Sequence, residues 1–279
     1  MSTVYHKFCK KTPTLRRVLY KVFSLTTGSV SNIIIAIMTD LTAALEYLNS
    51  DYLLNVSIID PIKRDTAEVL YASNDCVMVR DKLSDVIMLQ TENIRLADRL
   101  LDTIPQSTTH IVAHNVALAE LVENKFGYKK RVPCNQAVYG KNPFVIEGSG
   151  LEIRLMREED EEEASEMYFD SVEEAKEHIL LGLVYGGFHN GKIAAMIGRH
   201  YQGSMGLLVV KEEFRRRGFG EIMEKFLINS LLEQGLTPYC QIIEGNTASL
   251  SLQRKIGLDI SENMLYWMIK SGLSSCGNE

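Results

Sequence analysis

Three consecutive arginines and two glycines are the residues of this sequence whose types and spacing could do chemistry. They are Arg215, Arg216 and Arg217, then Gly218 and, after Phe219, Gly220. Glycine lets a backbone approach a ligand closely, free N–H groups at a helix start point outward, and the helix dipole there favours anions. Arginine adds permanently charged, fork-shaped donors that match phosphate oxygens. The stretch predicts a phosphate site, for a pyrophosphate in particular. The alternative is a solvated basic turn.

A strand-like run precedes this basic turn and a helix-like pattern follows it. Residues 207–210 are apolar and include two valines, as in a buried strand. In residues 221–232 the apolar side chains recur at helical spacing. The P-loop motif G-x-x-x-x-G-K-[ST] is absent, and Met223 stands where G-x-G-x-x-G has its third glycine. A strand therefore leads into a basic turn that opens a helix, but neither common phosphate motif is complete.

The motif that does match is [QR]-x-x-G-x-[GA], five residues after Val210, as Arg215-x-x-Gly218-x-Gly220. Here the sequence resembles the GNAT superfamily of acyl-CoA-dependent N-acetyltransferases, in which this element holds the coenzyme A pyrophosphate. A second landmark, Asn246-x-x-Ser249-x-x-Leu252-x-x-Lys255-Ile256-Gly257-Leu258, is similar to the family pattern N-x-x-[AS]-x-x-L-Y-x-K-x-G-F. The resemblance implies acetyl-CoA, or another acyl-CoA, as cosubstrate. It places these residues around the coenzyme: Leu208, Val209, Val210, Arg215, Arg216, Arg217, Gly218, Phe219, Gly220, Asn246 and Ser249.

The order of predicted elements extends the resemblance over residues 151–270. Strand, two helices, three strands, helix, strand, helix and strand follow one another, as in the GNAT fold. The acidic run 158–163 is typical of a helix N-terminus, and a metal site is the weaker alternative. We therefore expect an α/β (α+β) fold with a mixed, mostly antiparallel sheet flanked by helices.

The first half of the chain repeats part of this order. Its patterns predict helices at 39–47, 94–104 and 117–125, with strands at 54–59, 68–72, 76–80, 85–89, 110–113 and 131–139. The run from Ile111 through Asn115 to Gly127 parallels the run from Ile242 through Asn246 to Gly257, but no phosphate motif precedes it. We infer two tandem domains, a degenerate GNAT-like one at 38–147 and an acetyltransferase domain at 148–279. The layout is similar to glycine N-acyltransferase-like proteins, and chance similarity is the alternative.

Residues 1–37 differ from the rest of the chain. They contain six lysines and arginines, and no acid occurs before Asp40. A transit peptide, a short signal core at 33–37, and an upstream extension before a start at Met38 are the open alternatives. We treat this segment as a basic extension outside the core.

Whole-chain composition limits the class of protein. Of 279 residues, 46% are hydrophobic and 24% charged, as in an ordinary soluble protein of one large or two ordinary domains. The net charge of −6 argues against nucleic acid as a partner, and no apolar run reaches the ~20 residues of a membrane span. Five scattered cysteines without C-x-x-C spacing suit a reducing cytoplasm and argue against a disulfide framework or a zinc site.

The resemblance implies acyl transfer by direct attack of an amine on the thioester. The acceptor would be the primary amine of a small molecule or amino acid, selected around residues 168–181, and a homodimer is left open. A backbone N–H near residues 208–210 would stabilise the oxyanion. Glu244, at the end of the predicted fifth strand, is our candidate base. His200 and Tyr201 could also face the acceptor, and the alternative for them is a structural role.

The proton donor to the leaving thiolate is the weakest part of this match. The family's tyrosine after the motif leucine is here Gln253, which donates a hydrogen bond but no proton at neutral pH. Tyr239, Tyr201 or water could replace it. A protein that binds acyl-CoA without turnover, as a regulatory module, is the alternative function.

Overall fold

The structure is a computed structural model that describes residues 41–146, 148 and 150–270. The basic extension 1–37 and the predicted helix start at Thr39 or Asp40 lie outside the described residues. Those that are described belong to one compact unit. None of their helices is long and apolar enough to cross a membrane.

Eight α-helices and eleven strands make up the described chain. The helices are α1 (Leu41–Asn49), α2 (Tyr52–Lys63), α3 (Ile94–Leu101), α4 (Val116–Phe126), α5 (Glu161–Met167), α6 (Val172–Leu180), α7 (Phe219–Glu233) and α8 (Thr247–Ile256). The strands are β1 (Ala67–Ala72), β2 (Cys76–Asp81), β3 (Ile87–Thr91), β4 (His110–Ala113), β5 (Lys130–Val138), β6 (Glu152–Leu155), β7 (Val184–His189), β8 (Lys192–Arg199), β9 (Met205–Val210), β10 (Tyr239–Ile243) and β11 (Asp259–Ile269). Short 3₁₀ turns occupy Glu158–Asp160 and Glu212–Phe214.

All eleven strands form a single sheet in the order β1-β2-β3-β4-β11-β5-β10-β9-β8-β7-β6. Among the described strands, β3 with β4 and β9 with β10 are the parallel pairs, and the other pairs are antiparallel. The expectation of a mixed, mostly antiparallel sheet flanked by helices is confirmed.

The two halves of the chain repeat one order of elements. Two helices, three strands, helix, strand, helix and strand occur first from α1 to β5 and again from α5 to β11. The sheet has the same symmetry, because β1, β2, β3 and β4 on one side correspond to β7, β8, β9 and β10 on the other. This repeat is a tandem layout. The domain limits 38–147 and 148–279 remain predictions.

The last strand of each half lies in the sheet of the other half. β11 pairs with β4 from Tyr266↔Ala113 to Ile269↔His110, and β5 pairs with β10 from Val138↔Tyr239 to Cys134↔Ile243. β5 and β11 also pair with each other at the centre. Each half therefore completes the hydrogen bonding of the other, and the sheet is continuous across both.

A buried helix replaces one predicted strand. Residues 54–59 were expected as a strand but belong to α2, which is buried from Leu54 to Pro61 and packs against β5 and β11. A short apolar run fits a buried strand and a buried helix equally well. The signal that decides is Asp51, whose side chain accepts the N–H of Leu54 at 3.2 Å and caps the helix.

Polar side chains link α2 to the central strands. His114 Nδ1 lies 3.0 Å from Asn55 Oδ1, and Gln136 Nε2 donates to Ser57 Oγ at 2.9 Å. Burial lowers the pKa of His114 to about 3, so this fully buried ring is neutral. The network satisfies groups that would otherwise cost free energy to bury.

The predicted acidic helix start is found in the second half. Residues 158–160 form a 3₁₀ turn that runs into α5. The Asp160 carboxylate accepts hydrogen bonds from Nη1 and Nη2 of Arg154, at 2.7 and 3.0 Å. Within the described chain, no group of three or more His, Cys, Asp and Glu side chains could hold a metal ion.

Candidate functional site

β9 and β10 touch at one point and then separate. Their only registered pair within the described chain is Cys240↔Met205, which joins the second residue of β10 to the first of β9. Because the strands are parallel, they diverge toward their C-terminal ends. The result is a cleft between β9 and β10 that is closed at Cys240 and Met205 and open at the edge where both strands end.

A β-bulge shapes the wall of this cleft. Met196 pairs with Val209 and Gly198 with Gly206, so that Ile197 of β8 faces two residues of β9, Leu207 and Leu208. Leu207 has φ +56°, a left-handed conformation that is rare for a side chain branched at Cγ and held inside a strand. A bulge leaves a residue unpaired and turns its backbone groups. The predicted oxyanion region 208–210 begins at this bulge.

The basic turn lies at the open end of the cleft. After the 3₁₀ turn Glu212–Phe214, Arg216 has φ +64° and Gly218 has φ +81°, and α7 begins at Phe219 with no side chain capping it. A Cβ on Gly218 would meet nothing within 4 Å, so the backbone conformation is what favours glycine there. The first turn of this 15-residue helix therefore has uncapped N–H groups, the kind of donors that an anion requires.

The three arginines are exposed but two of them are fixed. Arg215 Nε donates to the carbonyl of Val210 at 3.2 Å, and Arg217 Nη2 donates to the carbonyl of Glu213 at 3.1 Å. The Arg217 guanidinium also lies 5.3 Å from the ring centroid of Phe214, which is buried under the turn. The remaining guanidinium N–H groups stay available to an anion. The structure therefore brings together the residues that the sequence assigned to phosphate.

Asn246 and Ser249 lie at the start of α8. Asn246 caps the helix, its Oδ1 accepting the N–H of Ser249 at 2.9 Å. Since α8 follows β10, this helix start is at the same sheet edge as the basic turn.

Glu244 is exposed at that same edge. Its N–H donates to the carbonyl of Pro133 at 2.9 Å, and it borders a cavity of about 220 Å³ with Asn135, Asn246 and Leu250. The length of β10 separates Glu244 from the closed end of the cleft.

Tyr239 is a buried residue of β10. It is fully buried, and its hydroxyl donates to the carbonyl of Gln202 at 2.9 Å. Burial raises its pKa, the opposite of what a donor at neutral pH needs. The role of Tyr239 as a replacement for the missing acid remains a prediction, and its burial and hydrogen bond argue for packing between β10 and the β8–β9 turn instead.

Gln253 is buried against a carboxyl that sequence reasoning missed. Its Nε2 donates to Oε1 of Glu224 on α7 at 2.8 Å. Burial raises the pKa of Glu224 to about 7. The available signal was helical spacing, since Glu224 shares the apolar stripe of α7 with Leu227, Ile228 and Leu231.

His200 and Tyr201 lie beside the closed end of the cleft. The His200 ring packs on Gly206, next to the bulge, where any side chain on Gly206 would collide with it. Burial and the neighbouring His178 lower the pKa of His200 to about 4, so it is neutral at pH 7. The Tyr201 ring stacks on His178 at 4.2 Å between centroids, and its hydroxyl donates to Glu177 at 3.2 Å.

The described residues of the first half form no matching cleft. β3 and β4 stay paired from Ile87↔Ile111 to Leu89↔Ala113. β3 leads to Asn93, whose side chain caps α3 by accepting the N–H of Leu96 at 3.1 Å. The strands stay closed and the helix start is already occupied, so an anion finds neither feature here.

Comparisons with known proteins agree with this asymmetry between the halves. Residues 180–268 match the family model "FR47-like protein". Three solved structures resemble most of the chain. A Drosophila protein has a TM-score of 0.54 and 15% identity over 82% of this chain and 95% of its own. A GCN5-related N-acetyltransferase from Kribbella flavida has a TM-score of 0.52 and 11% identity, over 79% and 96%.

The third, a GCN5-related N-acetyltransferase-like protein from Streptococcus suis, has a TM-score of 0.50 and 16% identity over 81% of this chain and all of its own. No curated protein sequence matches the chain. Likeness at these identities establishes the fold.

Proposed function

We propose that this chain, which has the GNAT fold in a tandem layout, moves an acetyl group from acetyl-CoA to a primary amine of a small molecule or amino acid. The observation that carries the proposal is the cleft between β9 and β10, which opens onto an uncapped, basic helix start. A strand gap of this kind, with an anion site at its open end, suits a long ligand with a phosphate group at one end.

The basic turn would bind the coenzyme pyrophosphate. Uncapped N–H groups from the first turn of α7 and the side chains of Arg215 and Arg217 lie at this turn, together with the exposed Arg216. A Cβ on Gly220 would lie 3.6 Å from Val210 Cγ2, an ordinary contact, so protein packing does not require glycine there. We infer that Gly220 leaves room for the phosphate instead.

The bulged segment of β9 would stabilise the developing oxyanion. Acyl-CoA supplies the acyl group as a thioester. The backbone N–H of Leu208, a residue that the bulge leaves without a registered partner on β8, is a rigid donor that needs no reorganisation during the reaction. Removing such a donor typically costs about 10²–10³ in rate.

Two side chains are proposed as the base for the acceptor ammonium. Glu244 was the candidate from sequence, and it lies at the edge that holds the basic turn. His200 lies beside the bulge, and its lowered pKa keeps the ring neutral, as a base must be. Proximity to the bulge favours His200.

A second candidate function is an acyl-CoA-binding or regulatory module without turnover. The observation in its favour is Gln253, a buried amide where the family pattern has a tyrosine. Thiol release from acetyl-CoA across a panel of amines separates the two functions. Release that depends on an amine supports the enzyme. Intact coenzyme binding without such release would overturn the enzyme and support the module.

Charge reversal at the basic turn tests where the coenzyme binds. Arg217→Glu and Gly218→Asp should each weaken acetyl-CoA binding at least 100-fold in calorimetry, because they set a negative charge against the pyrophosphate. Aspartate tolerates the left-handed conformation and caps helices well, so Gly218→Asp should keep the fold.

Arg95→Glu is the matched control for that experiment. Arg95 is exposed in the first turn of α3, the helix of the first half that corresponds to α7. This variant makes the same charge change and should bind acetyl-CoA like the wild type. Unchanged affinity in Arg217→Glu and Gly218→Asp would show that the site is elsewhere.

A further inference from the structure

A carboxyl and an amide meet between the two helices that follow the cleft strands. Glu224 on α7 is 3% exposed and Gln253 on α8 is 4% exposed. Gln253 Nε2 donates to Glu224 Oε1 at 2.8 Å. α7 follows β9 and α8 follows β10, so this hydrogen bond joins the helices behind the two strands that separate.

Among the described residues, no cation pairs with Glu224 to balance its charge. The two lysines of this region, Lys225 and Lys255, both bind Glu221 instead, at 2.7 and 2.6 Å. From β10 the titratable neighbour is Cys240, a buried thiol, and from α8 it faces the uncharged Gln253. An ionised carboxylate buried without a cation costs several kcal/mol, so the neutral acid is favoured.

The hydrogen bonding of Gln253 also favours that proton. Gln253 Oε1 is buried and has no hydrogen-bond partner among the described residues. An unsatisfied buried carbonyl is costly and needs an explanation. A protonated Glu224 has an O–H to donate, and an acid and an amide can then exchange two hydrogen bonds. The orphan oxygen therefore points independently to a neutral Glu224.

The pair lies near the closed end of the cleft. The Glu224 carboxyl is close enough to Cys240 to raise the pKa of its thiol. Cys240 is the β10 residue that pairs with Met205 where the cleft closes. A coenzyme with its pyrophosphate on the basic turn at the open end would direct its sulfur toward this closed end.

We infer that Glu224, held by Gln253, gives its proton to the coenzyme thiolate as the acyl group leaves. The inference rests on the proposed acyl transfer. The amine nitrogen forms its bond to the acyl carbon, the C–S bond breaks with both electrons going to sulfur, and sulfur takes the Glu224 proton. Two protons leave the nitrogen through the base, one from the ammonium before attack and one as the amide forms, and Glu224 regains a proton from solvent. Gln253 is a positioning residue, since an amide passes on no proton.

The acidity of Glu224 fits this role. Its pKa of about 7 lies below that of an ordinary thiol, near 8.5, so transfer to a thiolate is downhill. It is also close to neutral pH, so the acid is partly protonated between turnovers.

The test compares Glu224→Gln with the double variant Glu224→Gln/Gln253→Tyr. In Glu224→Gln, kcat should fall about 100-fold, the usual scale of general acid catalysis, while acetyl-CoA affinity stays unchanged. The double variant should recover most of kcat, because a tyrosine returns at the position where the family pattern has one. Glu233→Gln, at the exposed end of α7, is the matched control and should keep wild-type kcat and pH profile.

A readout independent of turnover is the carboxyl ¹³C resonance of glutamate in isotope-labelled protein. One resonance should titrate near pH 7, be missing in Glu224→Gln, and move in Gln253→Leu. Full activity in Glu224→Gln, or no glutamate that titrates near neutrality, would overturn the donor role of Glu224 and leave the proposed acyl transfer standing. Wild-type protein that binds acetyl-CoA yet releases no thiol with any amine would overturn the proposed function and the donor role together.

Discussion

The burial of Glu224 connects the stability of the whole chain to pH. Its pKa rises on folding from an ordinary 4.5 to about 7. Between these values the unfolded chain has lost the proton and the folded chain keeps it. Stability from this group is therefore fully present below about pH 4.5, declines as pH rises through 7, and is absent above.

Glu224→Gln should remove this dependence. The free energy of unfolding of the variant, minus that of the wild type, should rise by about 2.5 kcal/mol between pH 5 and pH 8. Urea unfolding at the two pH values measures it, and the difference between proteins cancels other titrating groups. Parallel pH profiles for the two proteins would contradict a neutral buried acid.

At the residue scale, the sequence predicts features that depend on neighbouring residues and misses features that depend on burial in the folded chain. Gly218 could be recognised as a turn glycine because its positive φ is set within a few neighbouring residues. Tyr239 could not, since five residues of β10 alternate between faces and only the packed sheet shows that its ring is fully buried. Gln253 was recognised at the position where the family's acid is missing, but its partner Glu224 lies 29 positions earlier in the chain.

At the scale of elements, two strand pairs with equivalent places in the repeat have different outcomes. β9 and β10 separate after one registered pair, whereas β3 and β4 remain joined over three. The sequence indicated this difference only through the missing phosphate motif. The separation itself depends on the bulge at Leu207 and on pairing with β5, neither of which a local pattern reveals.

We expect one coenzyme per chain from this difference. Calorimetric titration with CoA should give a stoichiometry close to one. Arg217→Glu should weaken CoA binding at least 100-fold, while Arg95→Glu leaves the affinity unchanged. A stoichiometry near two in the wild type that falls to one in Arg217→Glu would show that the first half also binds the coenzyme.

The helix α2 marks the limit of pattern reading for elements. Its residues 54–59 are buried on every side because the helix is enclosed by α1 and the central strands, so the periodicity that identifies a helix with one exposed face is lost. Helices with one exposed face, such as α6 and α7, could be placed within a few residues.

At the scale of the molecule, the exchange of β5 and β11 makes the halves interdependent. Without β5, β10 loses its antiparallel partner, and without β11, β4 loses its own. Unpaired strand edges in the middle of an apolar sheet promote aggregation. Order of elements could be predicted from sequence, but this exchange could not, since β5 and β11 pair with strands of the opposite half.

Cutting the chain between the halves should therefore leave them bound. A protease site inserted at Val145, which is 83% exposed, should be cleaved while the two fragments still elute as one species. Fragments 39–147 and 148–279 produced separately should aggregate, and produced together they should co-purify. Two separately folded, monomeric fragments would contradict the interdependence.

The exchanged strands also affect how the chain is made. β4 ends at Ala113, but its neighbour β11 begins only at Asp259. During synthesis from the N-terminus, the first half emerges long before the strand that protects its edge. Until β11 has been synthesised, the edge of β4 stays unpaired on the ribosome, so folding of this protein in the cell should depend on chaperones. Folding should also be delayed when the ribosome stalls between Ala113 and Asp259.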